Sequence, residues 1–222
     1  MNNLPDKGLV TWINHYTVLR CLKAGVQLDK FDAVGMDGVW LRRLSRSNLK
    51  HTSADFSLPE IFDRRPTTVG LVGGDLETSR KHFEAFARRF PLAKVLWSIP
   101  GAGDCLEFIE GELSTAENFP HVILVGMGAP LQEITALKIK ELYLTKFPEF
   151  PVLVSTCGGW LDQLGIERYY PSWSTPLRLN WLVRLSREPI RLWKRYFIFP
   201  FIALVKRREI LNYLRHVRRF LG

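Results

Sequence analysis

The stretch His121–Pro130, HVILVGMGAP, decides the fold. Val122, Ile123, Leu124 and Val125 run without a polar break into Gly126, and the turn Met127–Ala129 ends at Pro130. An unbroken apolar run of that length, closed by glycine, reads as a strand covered on both faces. Proline is well suited to a first helical position, where its missing N–H has no partner to lose, so a helix is predicted from Pro130. Ile134, Leu137 and Leu142 then supply an apolar stripe for it.

The same pattern of strand, glycine and helix recurs along the chain. Thr68–Gly73 (TVGLVG) leads into Gly74–Asp75, followed by Phe83, Phe86, Ala87 and Phe90 at helical spacing. Lys94–Ser98 (KVLWS) reaches the turn Pro100–Gly103, and Pro151–Thr156 (PVLVST) ends at Gly158–Gly159. An earlier strand is predicted near Asp32–Gly35. Strands alternating with helices require βαβ crossovers. The expected fold class is α/β: a Rossmann-like, mostly parallel sheet with helices on both faces, plus a basic amphipathic helical C-terminal appendage.

Composition agrees with a folded body. The chain has 222 residues, 46% hydrophobic and 24% charged, which fits one domain with an attached tail. Met1–Gly8 lacks the basic-then-apolar order of a secretory leader. Three widely spaced cysteines, Cys21, Cys105 and Cys157, suggest neither a zinc site nor a disulfide framework, and a reducing cytoplasm is expected.

The net charge of +9 is unevenly placed. From Arg178 onward twelve basic residues face two acidic ones, a balance of +10, while the rest of the chain carries −1. Such a tail seeks phosphates on lipids, nucleotides or nucleic acid. Arg184, Arg187, Arg191 and Arg195 recur at helical spacing, with Pro189 placed to kink or restart the helix. Tyr196–Val205 (YFIFPFIALV) is apolar but far shorter than the ~20 residues a spanning helix needs. Ile210, Leu211, Leu214, Val217 and Leu221 form a stripe opposite Arg208, Arg215 and Arg219. That is how a helix in a membrane interface reads, the alternative being a helix packed on the body. The expected units are therefore 1–175, a catalytic α/β domain, and 176–222, a membrane-associating appendage.

Open α/β sheets bind ligands at the carboxyl ends of their strands, where Gly73–Gly74, Gly126–Gly128 and Gly158–Gly159 fall. Glycine lets backbone approach a phosphate, but neither a GxGxxG fingerprint nor a Walker A motif is present. Asp37 in MDGVW lies just past a predicted strand, where it is either a general base or part of an Asp-Gly turn or helix cap. Gln132 and Glu133 lie in the first turn after Pro130, the former able to hydrogen-bond a sugar or base. No nucleic-acid module is recognisable, and the aromatic residues among the arginines favour lipid.

With these segments in order, the chain resembles the WecG/TagA/CpsF family of bacterial glycosyltransferases from about Thr11 to Arg195. The matching pieces are the Asn14 segment, Asp37–Gly38, Ser53–Phe56 (SADF) before Leu58–Pro59, and Gly70–Gly74. Val125–Glu133 and Trp181–Arg195 (WLVRLSREPIRLWKR) are the most specific. The resemblance implies an inverting transfer of N-acetylmannosamine or a related hexose from UDP to a polyprenyl-diphosphate-linked sugar. No metal and no other cofactor are expected, and the acceptor would be met at the cytoplasmic face of the membrane. It makes Asp37 the general base and Gln132 a sugar or nucleotide contact, and it sets Arg184, Arg191 and Arg195 against diphosphates. Asn14, Lys50, Asp55, Gly73, Gly74, Gly126, Gly128 and Glu133 complete the candidate substrate site. Self-assembling members of the family make a homo-oligomer an expectation too. This chain departs at Leu131 (for Lys), Lys50 (for Arg), Trp12 (for Thr), Asn180 (for Glu) and Tyr169–Trp173, where an arginine is missing. A non-catalytic membrane-bound partner protein is the alternative.

Overall fold

The computed structural model describes residues 4–45, 51–101, 105–113, 119–166, 169–174, 176–177 and 179–221. Its strands are β1 (Gly8–Ile13), β2 (Ala33–Met36), β3 (Thr67–Val72), β4 (Ala93–Ile99), β5 (Val122–Val125), β6 (Leu153–Thr156) and β7 (Phe220–Leu221). Among the described residues they form one sheet of order β4-β3-β5-β6-β1-β2-β7. Every pairing is parallel. The connecting helices are α1 (His15–Lys23), α2 (Val39–Ser45), α3 (Ala54–Ser57), α4 (Pro59–Arg64), α5 (Leu76–Arg89), α6 (Cys105–Glu112), α7 (Leu131–Lys146) and α8 (Trp160–Leu164). A C-terminal arm follows: α9 (Asn180–Arg187), α10 (Pro189–Phe197), α11 (Phe199–Val205) and α12 (Arg207–Leu214).

Successive strand residues point to opposite faces, and the core divides accordingly. Ile123 and Val125 of β5 join Leu9, Ile13, Val18, Ile109 and Ile139 on one face. Val122 and Leu124 join Val10, Phe62, Phe86 and Trp160 on the other. There Phe86 packs at 5.0 Å edge-on to Phe62 and at 4.9 Å tilted to Phe90. Burying one such ring contributes about 2–3 kcal/mol.

The predicted strands stand within one or two residues of their places. Strand β1 stands where no strand was expected, although GLVTWI has the β-branched and aromatic make-up of the others. The helix faces are rotated from the expected stripes. α5 turns His82, Ala85 and Phe86 inward and leaves Phe83 exposed, while α7 buries Gln132, Glu133, Ala136 and Ile139. Pro130 precedes α7 as its cap residue, after a cis Ala129–Pro130 bond.

The end of the chain corrects the expectation of an interfacial helix over its last fifteen residues. Ile210 and Leu214 of α12 are buried in the same core layer as Val18 and Cys21 of α1. β7 then pairs with β2 through Val34–Phe220 and Gly35–Leu221. An apolar stripe needs any dry partner, and α1 together with an otherwise open sheet edge supplies one. The outer arm differs. Ile190 is 90% exposed, Phe201 71% and Val205 87%, with Phe197 and Leu204 also open. Among the described residues no helix is long and apolar enough to cross a membrane.

Candidate active site

The strand order reverses between β3 and β5 and again between β6 and β1, and such reversals open a crevice at the carboxyl ends. A cavity of about 670 Å³ lies there, walled by strand-end turns and closed by α9 and α10 of the arm. A smaller one, about 370 Å³, includes Asp6 and Arg65 in its walls, and these pair with each other at 3.1 Å. The larger cavity gathers the candidate residues.

Asn14 follows β1 and caps α1. Its Oδ1 accepts from the N–H groups of Tyr16 and Thr17, both at 3.0 Å, which turns its NH₂ away from the helix. Asp37 follows β2, its backbone N–H bonded to the Ile13 carbonyl at 2.8 Å. Gly38 makes the Asp-Gly turn at φ +89°, a conformation side chains rarely adopt, and the Asp37 carboxylate nonetheless lines the cavity. His51 Nε2 donates to Asp37 Oδ1 at 3.2 Å. Burial would raise the Asp37 carboxyl, but the His51 bond and the charges of Arg184, His51 and Arg195 outweigh it. They hold it below the ordinary carboxylate range.

Asp55 and Arg184 meet at 2.6 Å, and Tyr170 bonds both. Arg184, expected against a diphosphate, does line the cavity, and a carboxylate 129 residues away already holds its guanidinium. Asp55 likewise serves as its counter-ion. The remaining cations of the cavity wall are Arg20 of α1 and Arg191, Lys194 and Arg195 of α10. Arg191 pairs with Glu188, and Arg195 lies over the Tyr16 ring at 5.1 Å. His15 Nε2 donates to the Arg195 carbonyl at 2.9 Å, which ties the arm to α1. Burial lowers the His15 pKa and favours the neutral ring that this bond uses.

Gly74, Gly126, Gly128 and Gln132 line the cavity as expected. Gly73 does not. It lies against Gly126, and a Cβ on it would strike the Gly126 carbonyl oxygen, so glycine there serves the close approach of two turns. Glu133 is a second correction, because it is fully buried beneath the cavity and lines none of it. The reason is the rotation of α7, which turns both polar residues of its first turn toward the sheet. Lys50 lies outside the described residues. Three neighbours had no local signal: His51, Tyr170 and Asp162, the last held by the buried His82 at 2.8 Å. Each becomes visible only when strand order brings distant turns together. Among the described residues, no group of three His, Cys, Asp or Glu is placed to hold a metal ion.

The arrangement offers one carboxylate poised to take a proton, several cations suited to a phosphate, and amide groups suited to hydroxyls. Two comparisons accord with it. A UDP-Gal:alpha-D-GlcNAc-diphosphoundecaprenol beta-1,4-galactosyltransferase of Shigella boydii is 25% identical over 233 residues, spanning 100% of this chain and 89% of that protein. The family model of the glycosyl transferase WecG/TagA/CpsF family matches residues 6–215. That match spans nearly the whole chain and both walls of the cavity, and the protein is a glycosyltransferase belonging to the WecG/TagA/CpsF family.

Proposed function

We propose that the protein transfers a hexosyl group from a UDP-sugar to a polyprenyl-diphosphate-linked sugar, in one displacement with inversion at the anomeric carbon. The observation that carries this reading is the meeting, in one cavity, of Asp37 at a strand end with Arg191, Lys194 and Arg195 of the arm. Asp37 takes the proton of the acceptor hydroxyl as its oxygen bonds the anomeric carbon. The bond from that carbon to UDP breaks, and its electron pair leaves with the diphosphate. Charge develops on the leaving group, and the arm cations meet it. Asn14 and Gln132 turn amide groups toward the sugar.

The exposed Phe197, Phe201, Leu204 and Val205, beside Lys206 and Arg208, suit the surface of an anionic membrane where a lipid-linked acceptor resides. The buried Cys21, Cys105 and Cys157 form no disulfide among the described residues, which suits its cytoplasmic face. Departures at Leu131, Asn180 and Tyr169 bear on the choice of sugar. UDP-galactose is the first donor to try because the Shigella relative is named for it. N-acetylmannosamine-type donors complete the panel, and a homo-oligomer is part of the proposal.

The test is UDP release from a panel of UDP-sugars, with and without a short polyprenyl-diphosphate-GlcNAc acceptor, in detergent or vesicles. Acceptor-dependent release from one donor is the expected result. A folded protein that binds UDP but turns over no donor on any lipid acceptor would instead be a non-catalytic partner.

A further inference from the structure

Glu133 is fully buried and lines none of the cavity, yet it directly follows Gln132, which does line it. The two side chains are joined. Gln132 Nε2 donates to Glu133 Oε1 at 2.8 Å, while Gln132 Oε1 accepts from the Gly158 N–H at 3.1 Å. A backbone N–H can only donate, so the amide oxygen must face Gly158 and the nitrogen must face Glu133. Turned over, the amide would set donor against donor at one end and acceptor against acceptor at the other.

The clamp is braced from below. Thr11 Oγ1 donates to the same Glu133 oxygen at 3.2 Å and lies 2.9 Å from Thr156 Oγ1, itself in the cavity wall. Burial pushes the Glu133 carboxyl up, against the hydrogen bonds of Gln132, Thr11 and Cys21, and so favours a neutral acid whose Oε1 still accepts. Its other oxygen, Oε2, is buried without a partner. An apolar side chain of that size would avoid the unpaired atom, so the fold itself gains little from a carboxyl here.

We infer that Glu133 is a positioning residue: it locks the Gln132 amide so that one N–H and one carbonyl lone pair are presented together to a sugar hydroxyl of the donor. A hydroxyl both donates and accepts, which suits that pair better than a phosphate oxygen does. The inference rests on the reading of Gln132 as a donor-sugar contact.

The test is a double-mutant cycle on the full chain in detergent, with UDP and UDP-galactose (or the donor that the panel selects) as calorimetric probes. Gln132→Ala is expected to weaken UDP-galactose about tenfold and leave UDP unchanged, the loss of one well-made hydrogen bond. Glu133→Met should do the same, and the double variant should bind no worse than Gln132→Ala alone. Glu133→Gln keeps an acceptor at Oε1 and should stay close to the parent. Thr11→Val, which loosens the clamp from its other side, should give a smaller loss confined to UDP-galactose, and it replaces Glu133→Met if that variant does not fold. Full additivity in the cycle, or equal losses for UDP and UDP-galactose, would overturn the positioning role alone. An unaffected Gln132→Ala would overturn it together with the donor-contact reading.

Discussion

On the sheet side of the cavity Asn14, Asp37 and Gln132 sit at strand ends or in the first turn of the helix that follows, each held by a bond to backbone, whereas on the arm side the cations ride on short helices with open outer faces. Asn14 is fixed by capping α1, Asp37 by the ladder bond to Ile13, and Gln132 by the Gly158 N–H. The arm is held by a few distant contacts: the Arg184–Asp55 pair, the His15 bond to the Arg195 carbonyl, and the Tyr16–Phe199 ring contact at 4.7 Å. The sheet thus supplies geometry, which a displacement at carbon requires. The arm supplies charge, which acts over longer distances and tolerates looser placement.

This division can be broken most decisively at Asp37. Asp37→Asn should lower turnover by about a thousandfold, within the range for losing a general base, while UDP affinity changes little. A folded variant with full turnover would move the base elsewhere. Next comes the anchoring of the arm. Ile210→Ala should cost about 3 kcal/mol in denaturant unfolding, as a buried aliphatic truncation does, and leave vesicle binding alone. Arg184→Met should cost about 2 kcal/mol because Asp55 keeps a half-buried charge without its partner, and adding Asp55→Asn should recover part of it. If the pair proves neutral, the arm is held by its apolar contacts and the His15 bond instead.

Smaller effects sharpen the contrast. Phe201→Ser with Leu204→Ser should weaken binding to anionic vesicles about tenfold and leave thermal stability unchanged, since both side chains already face solvent. Unchanged binding would remove the outer arm as the membrane contact. The smallest effect concerns pH. Because Asp37 is held below the ordinary carboxylate range, it stays ionised to lower pH, and the acid limb of kcat/KM should lie below that range. His51→Ala removes a bond that favours the ionised form, so the limb should move upward. A limb that stays in place would show that His51 does not act on the base.

Much of this was legible in order and period. HVILVG announces a buried strand because a strand covered on both faces must be apolar throughout, TVGLVG and PVLVST come close to it, and KVLWS alternates as the edge strand β4 does. The break at Pro189 also followed from the residue itself, since proline starts α10 cleanly and cannot continue α9. Asp37 and Gln132, which line the cavity, could be singled out because strand ends and first helical turns are marked locally. Glu133 was misplaced for a physical reason: an apolar stripe tells which way a helix faces only to within a residue, and here Ile134 and Leu137 are only partly buried. The tail stripe of Ile210 and Leu214 failed similarly, because amphipathicity states that a face must be covered and not by what.

By itself the sequence determined the alternation of strand and helix, the places of the glycine turns, the concentration of charge after Arg178, and the motifs that mark the family. Only the tertiary structure decided that Arg184 belongs to Asp55, that His51 reaches Asp37, that Gln132 is clamped between Glu133 and Gly158, and that α12 faces inward. Periodicity and turn chemistry are properties of a few consecutive residues. Which turns meet is set by the strand order β4-β3-β5-β6-β1-β2-β7, and that order arises from how the whole chain buries its apolar surface.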